Sequence, residues 1–266
     1  MAPELVVVGG GRMGEALVRG LLAAGWQAPR LAVVEVSAER RRELATSEPD
    51  VAVLEELPTA PAAPAAVVAV KPGDVESAVR ALAAAGTARL LSIAAGVTTA
   101  RIEGWAGAGV AVVRAMPNTP ALVGAGAGAV AAGASAGPED EEWAAGILSA
   151  IGRVVRLPER LLDAVTGLSG SGPAYVFLVA EALIDAGVAA GLPRDASTAL
   201  TIQTLLGAAR LLDESGQGPE ALRAAVTSPG GTTAAGLRVL ESRAVRAAFM
   251  DAVAAATDRS RELGGA

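Results

Sequence analysis

Ser228, Pro229, Gly230, Gly231, Thr232 and Thr233 form a glycine-rich loop inside an otherwise helical stretch of chain. Glycine leaves backbone N–H groups free to converge, and the apolar run after the loop reads as a helix whose N-terminus faces it. Together they make an anion site that needs no charged side chain and that would suit a small carboxylate. Taken alone, SPGG equally suits a turn that caps a helix. A second signature opens the chain. Gly9, Gly11 and Gly14 spell G-x-G-x-x-G directly after an apolar strand pattern and at the start of a helical one. There the first glycine permits a tight turn, the second admits a pyrophosphate, and the third lets helix and strand pack closely, which is how a dinucleotide is held. Glu35 stands 21 residues past Gly14, where an acid reads a ribose. Its carboxylate would accept from a ribose 2′-hydroxyl and repel a 2′-phosphate, favouring NADH. Ser37 and the arginines at 40–42 could instead grip a phosphate, although the solvated face of a helix is the better reading of those arginines.

Composition narrows the chemistry. The chain has no histidine and no cysteine, which excludes Ser–His catalysis, thiolate chemistry, disulfides and His-ligated metals. No metal site is expected. A formal net charge of −6 without any basic block argues against a nucleic-acid partner. Hydrophobic residues are 52% of the chain and aromatics 2%, so Ala, Val, Leu and Ile must fill the core and helices can approach closely.

The elements that position these residues fall into two halves. Short β-branched runs at 5–8, 31–36, 51–53, 67–70, 90–93 and 110–115 alternate with helical patterns at 13–24, 74–85 and 138–150, and a last strand is expected at 154–157. Such alternation predicts a parallel sheet with crossover helices, a Rossmann-type α/β fold. Lys71 and Pro72 then sit at the carboxyl end of the sheet, where ligands bind in such folds, though an ordinary surface lysine fits that position as well. Residues 92–96 and 114–120 end later strands at the same edge. Asn118, between two prolines, has its backbone held and an amide free to hydrogen bond, or is simply a turn residue. The uncharged run 121–137, mostly Ala and Gly, reads as a buried strand with flanking turns and is a poor membrane span. The Ala/Pro-rich stretch 58–66 reads as a loop before a strand. With no basic n-region before the first strand, the expectation is a soluble, cytoplasmic chain without membrane contact.

From residue 161 the pattern is helical: 175–190, then from Pro193 towards 214, then 221–226, and one final helix over most of 233–263. So few helices with so many alanines bury limited area, which predicts pairing with a second copy. The boundary is placed near Pro158, giving domains 1–157 and 158–266. Ser169-Gly170-Ser171-Gly172 with Pro173 forms another small-residue loop, either a pocket wall or a close helix crossing.

Several phrases occur together in order: GGGRMGEAL, AVKPGDVE, SIAAGV, RAMPNTPALVGAG, LSGSGPAYVF, EALIDAGVAAGLPR and AVTSPGGTT. Over essentially its whole length the chain resembles the pyrroline-5-carboxylate reductases. The resemblance implies a Rossmann domain and an all-α dimerisation domain. It also implies reduction of Δ1-pyrroline-5-carboxylate to L-proline by NADPH or NADH. In that family interlocked helical domains of a homodimer build the active site, and dimers often assemble into rings. The resemblance assigns Gly9, Gly10, Gly11, Arg12, Met13 and Gly14 to the pyrophosphate loop. Ala69, Val70, Lys71 and Pro72, Ile93 and Ala95, and Asn118 near the nicotinamide would line the cofactor. It makes Ser228 to Thr233 the substrate loop, with Thr233 partnering the ring nitrogen, and places Glu159 near the bound ligands. Glu35-Val36-Ser37 departs from the arginine the family often has after the second strand, which leaves the choice of nicotinamide open.

A protonated cyclic imine is already a good electrophile, so hydride reaching its carbon needs no nucleophile or metal. The protein has to place the two reacting carbons within roughly 3–3.5 Å and hold the carboxylate still. The N–H groups of Gly230, Gly231 and Thr232 and the Ser228 hydroxyl would hold it, with Ser169 and Ser171 in the pocket wall and Thr233 orienting or shuttling the nitrogen's proton. The absence of any lysine after Lys71 weighs against dehydrogenases of the β-hydroxyacid type, which rely on a lysine in the helical domain. A non-catalytic nucleotide sensor is the other alternative, and the complete motifs weigh against it.

Overall fold

The computed structural model describes residues 3–57 and 63–264. The chain packs as two compact units, one running to Ser171 and taking in the residues from Ala254 onward, the other Gly172–Val253. The first unit holds β1 (Leu5–Val8), α1 (Arg12–Ala23), β2 (Leu31–Val34), α2 (Ala38–Ser47), β3 (Ala52–Leu54) and β4 (Ala65–Val68). It continues through α3 (Val75–Ala84), β5 (Arg89–Ser92), α4 (Thr99–Ala106), β6 (Ala111–Met116), β7 (Gly126–Ala132), α5 (Pro138–Ser149), β8 (Gly152–Arg156) and the short α6 (Leu162–Val165). The strands form one sheet in the order β3-β2-β1-β4-β5-β6-β7-β8, parallel except where β6 meets β7. The order reverses between β1 and β4, the switch point at which such sheets bind ligands.

Strand alternation divides the core into two layers. Leu5 and Val7 point to Leu17 and Leu21 of α1, Leu44 of α2 and Ile147 and Leu148 of α5. Val6 and Val8 point the other way, to Val75, Val79 and Leu82 of α3 and Ile102 of α4. Each fully buried leucine contributes about 2 kcal/mol. The α1 helix carries its apolar residues three and four apart, so the face that meets the sheet is also the one that brings the helix N-terminus to the end of β1.

The second unit holds α7 (Gly172–Ala189), α8 (Arg194–Glu214), α9 (Pro219–Ala225), α10 (Thr232–Ser242) and the start of α11 (Val245–Gly264). The α7 and α8 helices cross closely: a Cβ on Gly187 would strike Ser197, whose hydroxyl donates to the Ile184 carbonyl at 2.8 Å. Among its described residues no large apolar side chain is buried, while Phe177, Leu178, Leu200, Ile202 and Met250 are exposed. Glu159–Ala189 has the length and apolarity to cross a bilayer.

Several expected bounds are corrected. The second strand stops at Val34, leaving Glu35 and Val36 outside it, and Val36 is exposed. The fourth strand spans Ala65–Val68 and not 67–70, so Ala69, Val70 and Lys71 belong to the loop. Of the Ala/Pro-rich stretch, residues 58–62 lie outside the described residues and Ala65 and Ala66 are already strand. The expected last helix is two, broken at Ala244, the one non-glycine residue with positive φ (+54°) among the described residues. Arg246 pairs with Glu241 across that break. The run 121–137 does supply a buried strand, β7, after a 3-10 turn at Thr119–Val123.

Candidate active site

The turn after β1 is built by close approaches. Gly9 has φ +106°, and a Cβ there would lie 2.5 Å from the Ala69 carbonyl; one on Gly14 would strike the Gly9 carbonyl itself. The glycines therefore press α1 onto β1 and the β1 loop onto the β4 loop. A Cβ on Gly11 would meet nothing within 4 Å, so space above the loop is open. Gly9, Gly11, Glu35, Ala69, Val70 and Lys71 line a cleft of about 340 Å³ at the carboxyl ends of β1, β2 and β4. Arg12 and Met13 form the first turn of α1, whose N–H groups have no intrahelical partner. Open space, free donors and a helix N-terminus fit a pyrophosphate.

Glu35 sits at the far wall. Its Oε2 accepts from the Gly10 N–H and its Oε1 from the Ser37 N–H, both at 2.8 Å. Each carboxylate oxygen retains a lone-pair direction for a ribose hydroxyl. Arg40 and Arg41 are not the solvated helix face expected of them. Arg40 donates to the Gly10 carbonyl at 2.6 Å and pairs with Glu15 and Glu43. Arg41 donates to the Glu35 and Val36 carbonyls and pairs with Glu55.

A second cleft, of about 350 Å³, is lined in part by Pro72, the residue after Lys71 of the first. Ala95, Gly96, Thr166, Ser171, Arg259 and Ser260 line it. Thr166 and Ser171 come together through a π-helical turn, Thr166–Gly170, closed by the Ser171 N–H on the Thr166 carbonyl at 2.8 Å. Asn118 fastens that turn. Its amide nitrogen donates to the Ser169 carbonyl at 3.0 Å and its oxygen accepts from the Ala127 N–H at 2.8 Å. Both ends of the Asn118 side chain are thus engaged within the protein, and it is buried. Ser169 lies behind the wall with its hydroxyl donating to the Val165 carbonyl. Ile93 is packed against the core just after β5. Thr166, Arg259 and Ser260 escape a sequence reading. The one hint is polar residues on an alanine-rich helix, and Ser260 is in fact buried, donating to Asp163 at 2.7 Å.

Glu159 lies on a 3-10 turn, Glu159–Leu161, and lines neither cleft. Its Oε1 accepts from the Thr99 N–H (2.7 Å) and from Arg114 (3.1 Å), and its Oε2 from the Thr99 hydroxyl (2.6 Å). Burial pushes the carboxyl up, but the Thr99 donors and the Arg114 guanidinium outweigh it and hold Glu159 below the usual carboxylate range.

In the second unit the Ser228–Thr233 loop has the expected form. Gly230 has φ +69°, and Gly231 caps α10. The Gly231 N–H closes the turn on the Ser228 carbonyl at 3.1 Å, so it is the least available of the three donors named for the carboxylate. The N–H groups of Thr232 and Thr233 open the helix, and Thr233 is half-buried.

A doubly wound sheet with a pyrophosphate-type loop at its switch point, followed by helices with outward apolar faces, defines a two-domain Rossmann oxidoreductase. Residues 4–96 match the family described as NADP oxidoreductase, coenzyme F420-dependent, and residues 159–263 match pyrroline-5-carboxylate reductase dimerisation. The chain is 44% identical to the pyrroline-5-carboxylate reductase of Mycobacterium tuberculosis (strain ATCC 25618 / H37Rv), covering 98% of this chain and 96% of that protein. The structure of a pyrroline-5-carboxylate reductase from Coxiella burnetii superposes with a TM-score of 0.91 at 37% identity, over 99% of both chains. The Plasmodium falciparum pyrroline carboxylate reductase, solved with NADP bound, gives 0.85 at 31% identity over 98% of both. This chain belongs to the pyrroline-5-carboxylate reductase family, with a Rossmann N-terminal domain and a helical dimerisation domain.

Proposed function

We propose that this chain reduces Δ1-pyrroline-5-carboxylate to L-proline, the last step of proline synthesis, using NADPH or NADH. The observation that carries the reading is the pair of clefts whose linings take in the neighbouring residues Lys71 and Pro72 of the loop after β4. Two spaces of that size, one over the glycine loop and Glu35 and the other lined from the next residue of the β4 loop, suit the two halves of a dinucleotide. The bound nicotinamide supplies the hydride. The chain's residues bind and orient. The first turn of α1 holds the pyrophosphate, and Glu35 reads the adenosine ribose. The π-turn fastened by Asn118 backs the nicotinamide half. Ser228, Gly230 and Thr232 hold the substrate carboxylate, and the Thr233 hydroxyl bonds the ring nitrogen, which must keep a proton for the imine to accept hydride.

The functional boundary is put at 157/158, a reading supported by the dimerisation-family match over residues 159–263. Glu159 supports the site through Thr99 and Arg114. The chain works in the cytoplasm as a homodimer that assembles further into rings. The apolar face of α7 meets a second copy and not a bilayer, and the net charge of −6 supports the absence of a nucleic-acid partner. The test is oxidation of NADPH and NADH by purified protein with Δ1-pyrroline-5-carboxylate, proline being identified as product. Turnover with proline formed supports the reading; folded dimer without turnover on either nucleotide refutes it.

A further inference from the structure

Arg40 lies on α2, outside both clefts, yet its Nε donates to the Gly10 carbonyl at 2.6 Å. Gly10 is buried, and a Cβ there would lie 2.5 Å from Leu44, so the loop rests directly on α2. A trans peptide points its N–H opposite to its carbonyl. Drawing the Gly10 carbonyl towards Arg40 therefore turns the Gly11 N–H away from α2, and Gly11 lines the cofactor cleft. On the preceding peptide the Gly10 N–H is drawn to Glu35. The two peptides flanking Gly10 are thus both set by side chains from the β2–α2 segment.

The guanidinium is itself held still. Glu15 from α1 and Glu43 from α2 take its two terminal nitrogens, and Arg40 is half-buried, its side chain 24% exposed. Two carboxylates on one guanidinium leave little net positive charge to attract a phosphate. We propose that Arg40 is a positioning residue for the pyrophosphate loop, acting through the Gly10 carbonyl to aim the Gly11 N–H, and not a ligand of a 2′-phosphate. This rests on the reading of the loop as a dinucleotide site.

ADP-ribose, which carries the pyrophosphate but neither nicotinamide nor 2′-phosphate, separates the possibilities. Its dissociation constant, and those of NADH and NADPH, are measured by calorimetry on wild type, Arg40→Met, Arg40→Lys and the distant surface variant Arg80→Met. Arg40→Met weakens all three ligands alike, by about tenfold, as expected for one charged hydrogen bond. Arg40→Lys, which keeps a donor, recovers part of the loss, and Arg80→Met changes nothing. The KM for the nicotinamide rises while kcat at saturating nucleotide stays within about twofold. Loss confined to NADPH makes Arg40 a 2′-phosphate ligand and overturns the proposal, as does unchanged binding of ADP-ribose. Arg40→Gln carries the same comparison should the Met variant fail to fold. Wild type that binds none of the three strikes the dinucleotide reading instead.

Discussion

Replacing Glu159 with Gln tests whether the buried charge network is electrostatic in origin. Glu159 accepts three hydrogen bonds, two from Thr99 and one from Arg114, with its side chain 26% exposed and that of Arg114 6%. Gln offers a single acceptor oxygen and no charge. The guanidinium would be left buried without a counterion, its Nε already lacking a partner among the described residues. Breaking one side of a buried pair costs about 3–5 kcal/mol, and the partial exposure of Glu159 brings the expectation to about 2–4 kcal/mol. Urea unfolding at fixed protomer concentration measures it, because assembly contributes to apparent stability. Arg114→Met added to Glu159→Gln should restore most of the loss, since both charges are then gone. The pH dependence follows from the lowered carboxyl. A pKa held below the unfolded value of roughly 4.3 gives stabilisation that is complete above that value and is lost as pH falls through the folded one. Acidification below about pH 4.5 should therefore cost wild type more than Glu159→Gln. A single variant within about 0.5 kcal/mol of wild type, or a double variant no better than the single, refutes the reasoning.

Glu35→Ser removes a carboxylate from the wall where a 2′-phosphate would lie, and should move the NADPH/NADH ratio of kcat/KM towards NADPH by about tenfold. An unchanged ratio shows that Glu35 does not read the ribose. Thr233→Ala should lower turnover about tenfold or more while leaving nucleotide binding within about twofold; activity equal to wild type removes Thr233 from the chemistry. Ala244→Gly relieves a left-handed alanine and should raise stability by about 0.5–1 kcal/mol after the entropy of glycine in the unfolded chain is counted. A lower midpoint in urea would mean that the Ala244 side chain has packing the backbone argument ignores.

The sequence is most legible where a side chain's effect is local. The Gly9–Gly14 turn, the position of Glu35 and the capped start of α10 follow from residue type and spacing, and the structure has them in place. The edges of β4 were not legible, because a strand buried on both faces loses its alternation, and Ala65–Val70 reads as one apolar run. The α4 helix escaped because it is one short amphipathic segment containing Gly104; its signal is Thr98, whose hydroxyl accepts from the Arg101 N–H. The break at Ala244 has no glycine or proline to announce it. Long-range partners were out of reach altogether. Nothing about Asn118 tells that its amide is tied to residues 127 and 169, nor about Arg40 that it holds a carbonyl 30 residues earlier.

The helical unit has a consequence for how this sequence can drift. With no large apolar side chain buried among its described residues, Gly172–Val253 keeps its interior on the outside of a single chain. The ordinary rule that exposed positions vary freely then inverts. Met250, 73% exposed in one protomer, should tolerate substitution as poorly as Leu21 at the centre of the sheet domain. If the homodimer proposed above covers that face, a change there enters both protomers at once, so each mutation is made twice across the same symmetric seam.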